Sequence, residues 1–223
     1  MPERDPIRRE TVKAAIDPVR LEEPNVKMVA EVLARAFLDD PSTIYIEADS
    51  SRRARVLPLL YEVGTRYAHL FGEAYTTAGH IEGAALWIAP DRGDFTADRM
   101  TASGGDNLSA VLGPEAFGRF TKLMTYMGAL RLAAMPSPHW YLNILGVEPS
   151  RQGMGIGSQL IRPILHQADA SGLDCYLETM KIRNVAFYNQ HGFEVEAEGN
   201  LPGSGPHYWT MCRRVRRSDL RSG

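Results

Sequence analysis

Cysteine is scarce in this chain of 223 residues, which contains only Cys175 and Cys212. Each lies in an apolar run typical of a strand, and no second cysteine follows at the spacing of a metal or redox motif. The six histidines also lack an i, i+4 partner and a neighbouring cysteine. The sequence therefore predicts two reduced, buried thiols and no metal site.

The chain also lacks a long apolar run and an excess of charge of either sign. No uninterrupted apolar stretch is long enough to span a bilayer, and MPERDPIRRE at the N-terminus carries charges where a signal peptide needs apolar residues. The 25 basic and 27 acidic residues give a formal net charge of −2, which provides no field to attract nucleic acid or an anionic membrane. We expect a cytoplasmic protein with a small-molecule partner and no nucleic-acid or membrane partner. Whether it is a monomer or a homodimer stays open.

Length and composition favour a single folded domain. With 44% hydrophobic residues, the chain can bury one sizeable core but is short for two independent domains. Residues 1–17 are charged and aperiodic, which predicts a flexible extension. Residues 18–214 are predicted to form the domain, and residues 215–223 a basic, solvated tail.

Hydrophobic periodicity predicts the order of helices and strands. Apolar residues recur at helical spacing in 24–37, 52–71 and 117–134, and two β-rich runs around Gly79 predict an antiparallel hairpin. The polar segment 91–112 has no period and is predicted to be a loop. The last third alternates between strands at 141–147, 173–179, 193–196 and 207–212 and helices at 155–171 and 184–191. A strand, a helix and a strand in this order predict a parallel pair, so the fold class is α/β with a mixed sheet.

The most informative segment runs from Gly146 to Ser158, where the predicted strand passes into a helix. Gly153, Gly155 and Gly157 stand at alternate positions, so backbone N–H groups can turn toward one point without an intervening Cβ. The start of the helix adds its partial positive charge, and such a turn suits a pyrophosphate. The spacing is G-x-G-x-G, which differs from the G-x-G-x-x-G of dinucleotide-binding folds.

Gln152, Gly155 and Gly157 match Q/R-x-x-G-x-G/A, and the segment resembles the acetyl-CoA motif of the GNAT acetyltransferase family. From His139 to Arg214 the chain is similar to the puromycin N-acetyltransferase subgroup, through HWYLNILGVEP, QGMGIGS, YLET, RNVAFYNQHGF and GP-x-x-W-x-M-x-R in one order. The resemblance implies the GNAT-like acyl-CoA N-acyltransferase fold, a central twisted mixed sheet, partly splayed and flanked by helices. It also implies acetyl-CoA as the cosubstrate, without a metal.

The resemblance further implies which residues hold the cosubstrate. Backbone groups of Leu145, Gly146 and Val147 would bind the pantetheine arm as an added strand does. The pyrophosphate would be held by amides in the turn, and the side chain of Asn184 would lie on the arm. Four basic residues are open candidates for the ribose phosphate: Arg151, Arg162, Lys181 and Arg183. The turn residues so assigned are Gln152, Gly153, Gly155, Gly157 and Ser158.

Two residues are candidates for the chemistry. Tyr188 lies four residues after Asn184 on one helix, and the resemblance places its hydroxyl beside the sulfur, where a phenol can hydrogen-bond to the departing thiolate or protonate it. An attacking amine must lose a proton, and Glu178 at the end of its strand is the leading candidate base. A surface glutamate paired with Lys181 or Arg183 is the competing interpretation. The alternative bases are Asp39, Asp40, His139 and His207.

We therefore expect an N-acetyltransferase that moves the acetyl group of acetyl-CoA directly to an amine of a small molecule, either antibiotic-like or a metabolite. A role in antibiotic resistance would follow from the first kind of acceptor. A polyamine or a peptide N-terminus is an alternative acceptor. A catalytically inactive CoA-binding sensor or scaffold is the alternative from another class of function, and the presence of both Glu178 and Tyr188 argues against it.

Overall fold

The structure, a computed structural model, describes residues 17–92 and 95–215. The predicted extension at 1–17 and the predicted basic tail at 215–223 lie almost wholly outside these ranges, and both stay predictions. The division of the chain into one domain with two flanking segments likewise stays a prediction. The helices and strands that form the site all lie within the described ranges.

A mixed sheet forms the centre of the described residues. Its seven strands stand in the order β1-β2-β3-β4-β5-β7-β6. Only β4 and β5 pair in parallel, and every other neighbouring pair is antiparallel. This confirms the predicted mixed sheet. The strands are β1 Pro18–Arg20, β2 Gly72–Thr77, β3 Gly83–Ile88, β4 Trp140–Val147, β5 Cys175–Thr179, β6 Glu194–Asn200 and β7 His207–Arg213.

Helices flank the sheet, and those predicted from periodicity are present. They are α1 Val26–Ala36, α2 Pro41–Ile46, α3 Ser50–Phe71, α4 Ala97–Ala102, α5 Leu108–Ala134, α6 Ile156–Ser171 and α7 Ile182–Asn189. The prediction of a loop at 91–112 was wrong, because this segment contains α4 and the first turn of α5. Thr96 caps α4 by accepting from the backbone N–H of Arg99 at 3.4 Å, and the buried side chains of Leu108 and Leu112 anchor α5. Periodicity missed α4 because its residues bury no side chain.

The two faces of the sheet bury different helices. On one face α6 covers Trp87, Leu142 and Leu177, all at most 3% exposed. On the other face α1 and α3 cover Ala84 and Leu86. A fully buried side chain of leucine size stabilises a fold by roughly 1.5–3 kcal/mol, so the apolar stripe of α6 fixes that helix firmly against the sheet. The stripe consists of Ile156, Leu160, Ile161, Ile164, Leu165 and Ala168.

One irregularity of the sheet creates the site. The parallel pairing of β4 with β5 ends at Leu142 and Leu177. Beyond that pair, β4 continues along β3 while β5 continues along β7, so the two strands separate. Leu142 pairs with Trp87 and Ile144 with Leu86, which leaves Asn143 as an extra residue in β4, and such a bulge bends the strand that carries it. We call the space between 143–147 and 178–179 the β4–β5 opening.

Candidate active site

The β4–β5 opening exposes one edge of β4. Past Leu142 the ladder with β5 has ended, so this edge can accept the backbone of an added extended ligand. Gly146 is needed here for a different reason, because a Cβ at this position would meet Leu33 Cδ2 at 2.6 Å. The glycine lets α1 pack closely against the end of β4. Leu145, Gly146 and Val147 form the end of β4, at the rim of the opening.

The glycine turn follows directly from this edge. Gly153 and Gly155 adopt left-handed φ angles of 78° and 83°, and α6 begins at Ile156. The first hydrogen bond of α6 runs from Gln159 N–H to Gly155 O at 3.2 Å. In the described part of the chain, no protein acceptor pairs with the N–H groups of residues 153–158. A Cβ on Gly153 would meet nothing within 4 Å, so the turn faces open space. These free donors at a helix start fit an anionic diphosphate.

Three side-chain contacts hold the turn in place. Gln152 Nε2 donates to Val147 O at 3.1 Å, which joins the turn to the end of β4. Arg35 of α1 donates to Glu148 at 2.9 and 2.8 Å, and Arg151 lies 2.9 Å from Glu82 at the start of β3. Arg151 is thus engaged with a carboxylate. Because side chains hold the turn in place, its backbone N–H groups remain free.

Tyr188 and Asn184 lie on α7, on the far side of the opening. Asn184 Nδ2 donates to Thr179 Oγ1 at 2.9 Å, which ties α7 to the end of β5. Tyr188 is 7% exposed and packs edge-on against Phe187 and Phe193, with ring centres 5.0 and 5.8 Å away. Burial, followed by the negative charge of Asp40, raises the pKa of Tyr188 well above its ordinary value. Tyr188 therefore stays protonated at neutral pH and can act as a donor.

Glu178 lies at the penultimate position of β5, paired in register with Thr210 of β7. Its Oε1 atom is buried and has no hydrogen-bond partner among the described residues. Burial raises the pKa of Glu178 to about 7, while the neighbouring Tyr141 and Tyr176 and the positive charge of Arg131 act in the opposite direction. A carboxyl group with this pKa can accept a proton near neutral pH and release it again.

The other candidate bases fall into different surroundings. Asp39 is exposed, and its Oδ1 lies 3.5 Å from Arg53 Nη2. His139 is buried, its Nδ1 lies 2.8 Å from Ser137 O, and burial lowers its pKa. His207 packs edge-on against Trp209 with ring centres 4.3 Å apart. Each of these three side chains has a local structural explanation.

Asp40 is the alternative that the structure brings to Tyr188. It is 6% exposed, caps the start of α2, and lies 3.2 Å from Lys181 Nζ through Oδ2. Besides raising the pKa of Tyr188, its charge raises the pKa of Tyr61. Lys181 therefore pairs with Asp40, whereas the competing interpretation pairs it with Glu178. One signal of this arrangement in the sequence is the run Asp39–Asp40–Pro41, which lies between α1 and α2.

An apolar cluster lies beside the C-terminal end of β5. It joins α2, α5, the residue after β5 and the connection between β6 and β7. The hydroxyls of Tyr126 and Tyr208 approach to 3.3 Å across it. Sequence reasoning missed this cluster, because its members are far apart along the chain. Its members include Tyr45, Ile46, Met180 and Leu201.

Within residues 17–92 and 95–215, no three His, Cys, Asp or Glu side chains are arranged to hold a metal ion. No helix in these ranges is long and apolar enough to cross a bilayer. Cys175 and Cys212 are buried and free, as predicted, and burial raises the pKa of each thiol to about 12. Neither thiol is suited to act as a nucleophile at neutral pH.

The chain is similar to known acetyltransferases. A model of the acetyltransferase (GNAT) family matches residues 112–193, which include the glycine turn, Glu178 and Tyr188. An uncharacterized N-acetyltransferase of Schizosaccharomyces pombe is 28% identical over 180 residues, which cover 78% of this chain and 72% of the relative. The match therefore reaches well beyond the segment of the family model.

Solved structures share the fold. One is described as histone acetyltransferase HPA2 and related acetyltransferase from Corynebacterium glutamicum, with a TM-score of 0.64 and 19% identity over 92% of this chain and 99% of that protein. Another is a polyamine N-acetyltransferase of Drosophila melanogaster, with a TM-score of 0.57 and 12% identity over 90% of this chain and 100% of that protein. Together, the family model over residues 112–193, the relative and the shared fold support an acetyl-transferring enzyme with the fold of GNAT acetyltransferases.

Proposed function

We propose that this chain transfers the acetyl group of acetyl-CoA directly to the amine of a small molecule. The observation that carries the proposal is the continuity of the open edge of β4 with the free amides of residues 153–158. Tyr188 and Glu178 then stand on two elements beyond the opening, one fit to donate a proton and the other to accept one. The proposal places these binding groups and reacting groups around one space.

The residues of the opening fit the cosubstrate. The backbone of Leu145 to Val147 would bind the pantetheine arm, and the amides of Gly153 to Ser158 would bind the pyrophosphate. When bound, the thioester supplies an activated acetyl group. Asn184, which fastens α7 to Thr179, keeps Tyr188 in register with the end of β5. The protein contributes position and proton transfer.

Glu178 is proposed to take the proton of the acceptor. An ammonium has no free electron pair, so one proton must pass to Glu178, directly or through water, before the nitrogen can attack the thioester carbonyl. The new bond forms between nitrogen and carbonyl carbon, and the bond between that carbon and sulfur breaks. The nitrogen then releases its second proton, which leaves a neutral amide and replaces the proton that the sulfur takes from Tyr188. With a pKa of about 7, roughly half of the Glu178 side chains are ionised at pH 7 and ready to accept.

Tyr188 is proposed to assist the departing sulfur. The electron pair of the broken bond stays on the sulfur, where a hydrogen bond or a proton from Tyr188 stabilises it. The raised pKa of this phenol keeps the proton on it until the negative charge develops nearby. Because Tyr188 is buried among Phe187 and Phe193, its ring has little freedom to leave this position.

The acceptor is proposed to be a small-molecule amine. The resemblance of residues 139–214 to the puromycin N-acetyltransferase subgroup favours an amino-bearing antibiotic or related metabolite. One structural neighbour is named for polyamines and another for histones, so a polyamine and a peptide N-terminus are the alternatives to test. The apolar cluster beside the C-terminal end of β5 supports an acceptor with an apolar body.

Release of free thiol from acetyl-CoA tests the proposal. The protein would be mixed with acetyl-CoA and, separately, 2-phenylethylamine, puromycin, spermidine and a short peptide with a free N-terminus. Calorimetry in the same buffer would measure the affinity for acetyl-CoA. We expect binding together with amine-dependent thiol release. Binding without thiol release on any amine would contradict the proposal and favour a CoA-binding sensor.

A further inference from the structure

We infer that Asp40 binds the ammonium group of the acceptor, in the place that Lys181 Nζ occupies in this structure. The inference rests on the proposed function, because it names the residue that receives the second substrate at the same site. It also names the class of that substrate, a primary amine that is protonated in solution and carried on an apolar body.

The two oxygens of Asp40 have different tasks. Oδ1 accepts from the backbone N–H of Ser42 at 3.0 Å and from its hydroxyl at 2.6 Å, which fixes the carboxylate at the start of α2. Oδ2 lies 3.2 Å from Lys181 Nζ. Oδ1 therefore stabilises the start of α2, whereas Oδ2 faces the primary ammonium of Lys181. That ammonium is chemically the same group as the one on a protonated alkylamine.

Asp40 also lies where an acceptor is needed. After burial, its negative charge is the second cause that raises the pKa of Tyr188, the proposed donor to the leaving sulfur. Lys181 follows Glu178, the proposed base, by three residues and forms the N-cap of α7. An ammonium held at Oδ2 would therefore lie near the C-terminal end of β5, which carries Glu178, and within the electrostatic reach of Tyr188.

The surroundings of the ion pair indicate the rest of the substrate. Ile46 belongs to α2, the helix that Asp40 caps, and Met180 directly precedes Lys181. Both belong to the apolar cluster that includes Tyr45, Tyr126 and Tyr208. An amine with a hydrocarbon or aromatic body can pack against these apolar side chains. A polyamine would place a second ammonium among them without a partner.

In this arrangement Lys181 competes with the ammonium of the acceptor for Oδ2 of Asp40. A buried carboxylate without a cation is strongly unfavourable, so the lysine neutralises Asp40 until the acceptor arrives. The side chain of Lys181 is 19% exposed, whereas that of Asp40 is 9% exposed. In this proposal the lysine side chain rotates toward solvent while the carboxylate stays in place. The net change is the exchange of one ammonium for another at Oδ2 of Asp40.

Steady-state kinetics with 2-phenylethylamine test the role of Asp40. In Asp40→Asn the cap of α2 is kept, because asparagine is as good an N-cap as aspartate, but the charge is lost. We expect KM for the amine to rise at least tenfold while kcat and the Kd for acetyl-CoA stay near wild type. Asp39→Asn, which removes the adjacent exposed charge, is the matched control and should leave KM unchanged. The inhibition constant of 2-phenylethanol, a neutral isostere, should be equal in all three proteins.

The variant Lys181→Met separates an exchange from a purely structural ion pair. Removal of the competitor should lower KM for 2-phenylethylamine severalfold, and the amine should raise Tm of this variant more than that of the wild type. A structural pair would leave KM unchanged or higher in Lys181→Met, and that result would overturn the inference. An unchanged KM in Asp40→Asn, or turnover of spermidine but not of 2-phenylethylamine by the wild type, would also overturn it. A wild type that acetylates no amine at all would instead refute the proposed function.

Discussion

The guanidinium carbon of Arg131 lies 4.9 Å from the centre of the Tyr141 ring, on the side of the sheet that also holds Glu178. Arg131 is buried, and its Nη1 lies 3.5 Å from His139 Nε2. From this position its positive charge lowers the pKa of Glu178, while burial raises it. Burial, which raises the pKa, and the neighbouring Tyr141, Tyr176 and Arg131, which lower it, together leave the pKa of the carboxyl at about 7. Arg131 is thus a positioning residue that tunes the proposed base without contacting the substrate.

The pH dependence of kcat/KM should report this tuning. In the wild type, activity should fall as pH drops through about 7, because protonated Glu178 cannot accept a proton. In Arg131→Met the carboxylate loses a nearby positive charge, so the midpoint should move upward by roughly one pH unit. Arg131→Lys keeps a charge and should stay close to wild type. Identical midpoints in the three proteins would remove Arg131 from the control of this site.

The glycine turn offers a matched pair of variants at the two ends of one helix. Gly155 precedes α6 with φ 83°, and Gly172 follows it with φ 65°. Alanine at either position strains the left-handed backbone and should lower the free energy of unfolding by about 1–2 kcal/mol. Only Gly155→Ala should also weaken the binding of acetyl-CoA, because only that end of α6 presents the free amides.

Calorimetry with acetyl-CoA, beside chemical unfolding of both variants, checks this prediction. We expect Kd to rise about tenfold or more in Gly155→Ala and to stay at the wild-type value in Gly172→Ala. An equal loss of affinity in both variants would mean that general destabilisation, and no specific phosphate contact, weakens the binding.

Replacement of Tyr188 by Phe should separate chemistry from binding. The ring keeps its contacts with Phe187 and Phe193, while the leaving sulfur loses its donor. We expect kcat to fall by about a hundredfold, with the Kd for acetyl-CoA nearly unchanged. Tyr75→Phe on β2 removes a hydroxyl away from the opening and serves as the control. Stopped-flow measurement of thiol release in a single turnover measures the chemical step directly, and a wild-type rate in Tyr188→Phe would exclude this residue from the mechanism.

Local patterns predicted the glycine turn better than the surroundings of Asp40. Residues 152–158 form a contiguous turn whose glycine conformations depend on near neighbours, so the sequence shows them directly. The β4–β5 opening depends instead on the extra residue Asn143 and on the different partners of the two strands. Hydrophobic periodicity does not predict such long-range pairing of strands. The resemblance to a known family, however, implied a splayed sheet.

The acceptor side shows the limits of sequence reasoning more clearly. Asp40 and Lys181 are 141 positions apart, and only the fold brings their charges to 3.2 Å. Asp40 was one of several candidate bases in the sequence, and nothing local distinguished it from Asp39, whose side chain is 84% exposed. The segment 91–112 was mistaken for a loop because its composition is polar, although α4 and the start of α5 lie there. Burial, which separates these cases, is a property of the whole fold.

Glu178 should make the protein less stable as the pH rises. Its pKa is about 7 in the folded protein and 4.5 in its ordinary surroundings, so the folded form keeps a proton that the unfolded chain has released between these pH values. The stability associated with this proton is fully present below pH 4.5 and is lost as the pH rises through 7. At pH 8 the loss is on the order of 3 kcal/mol.

The variant Glu178→Gln cannot ionise and tests both halves of this relationship. Its free energy of unfolding, measured with urea, should exceed that of the wild type by on the order of 3 kcal/mol at pH 8 and by almost nothing at pH 4.5. Its kcat/KM should fall by about a hundredfold or more, because the acceptor loses its base. The exposed Glu194→Gln on β6 should change neither quantity. A difference in stability that does not vary with pH would show that Glu178 titrates normally, and would leave the site without a base suited to neutral pH.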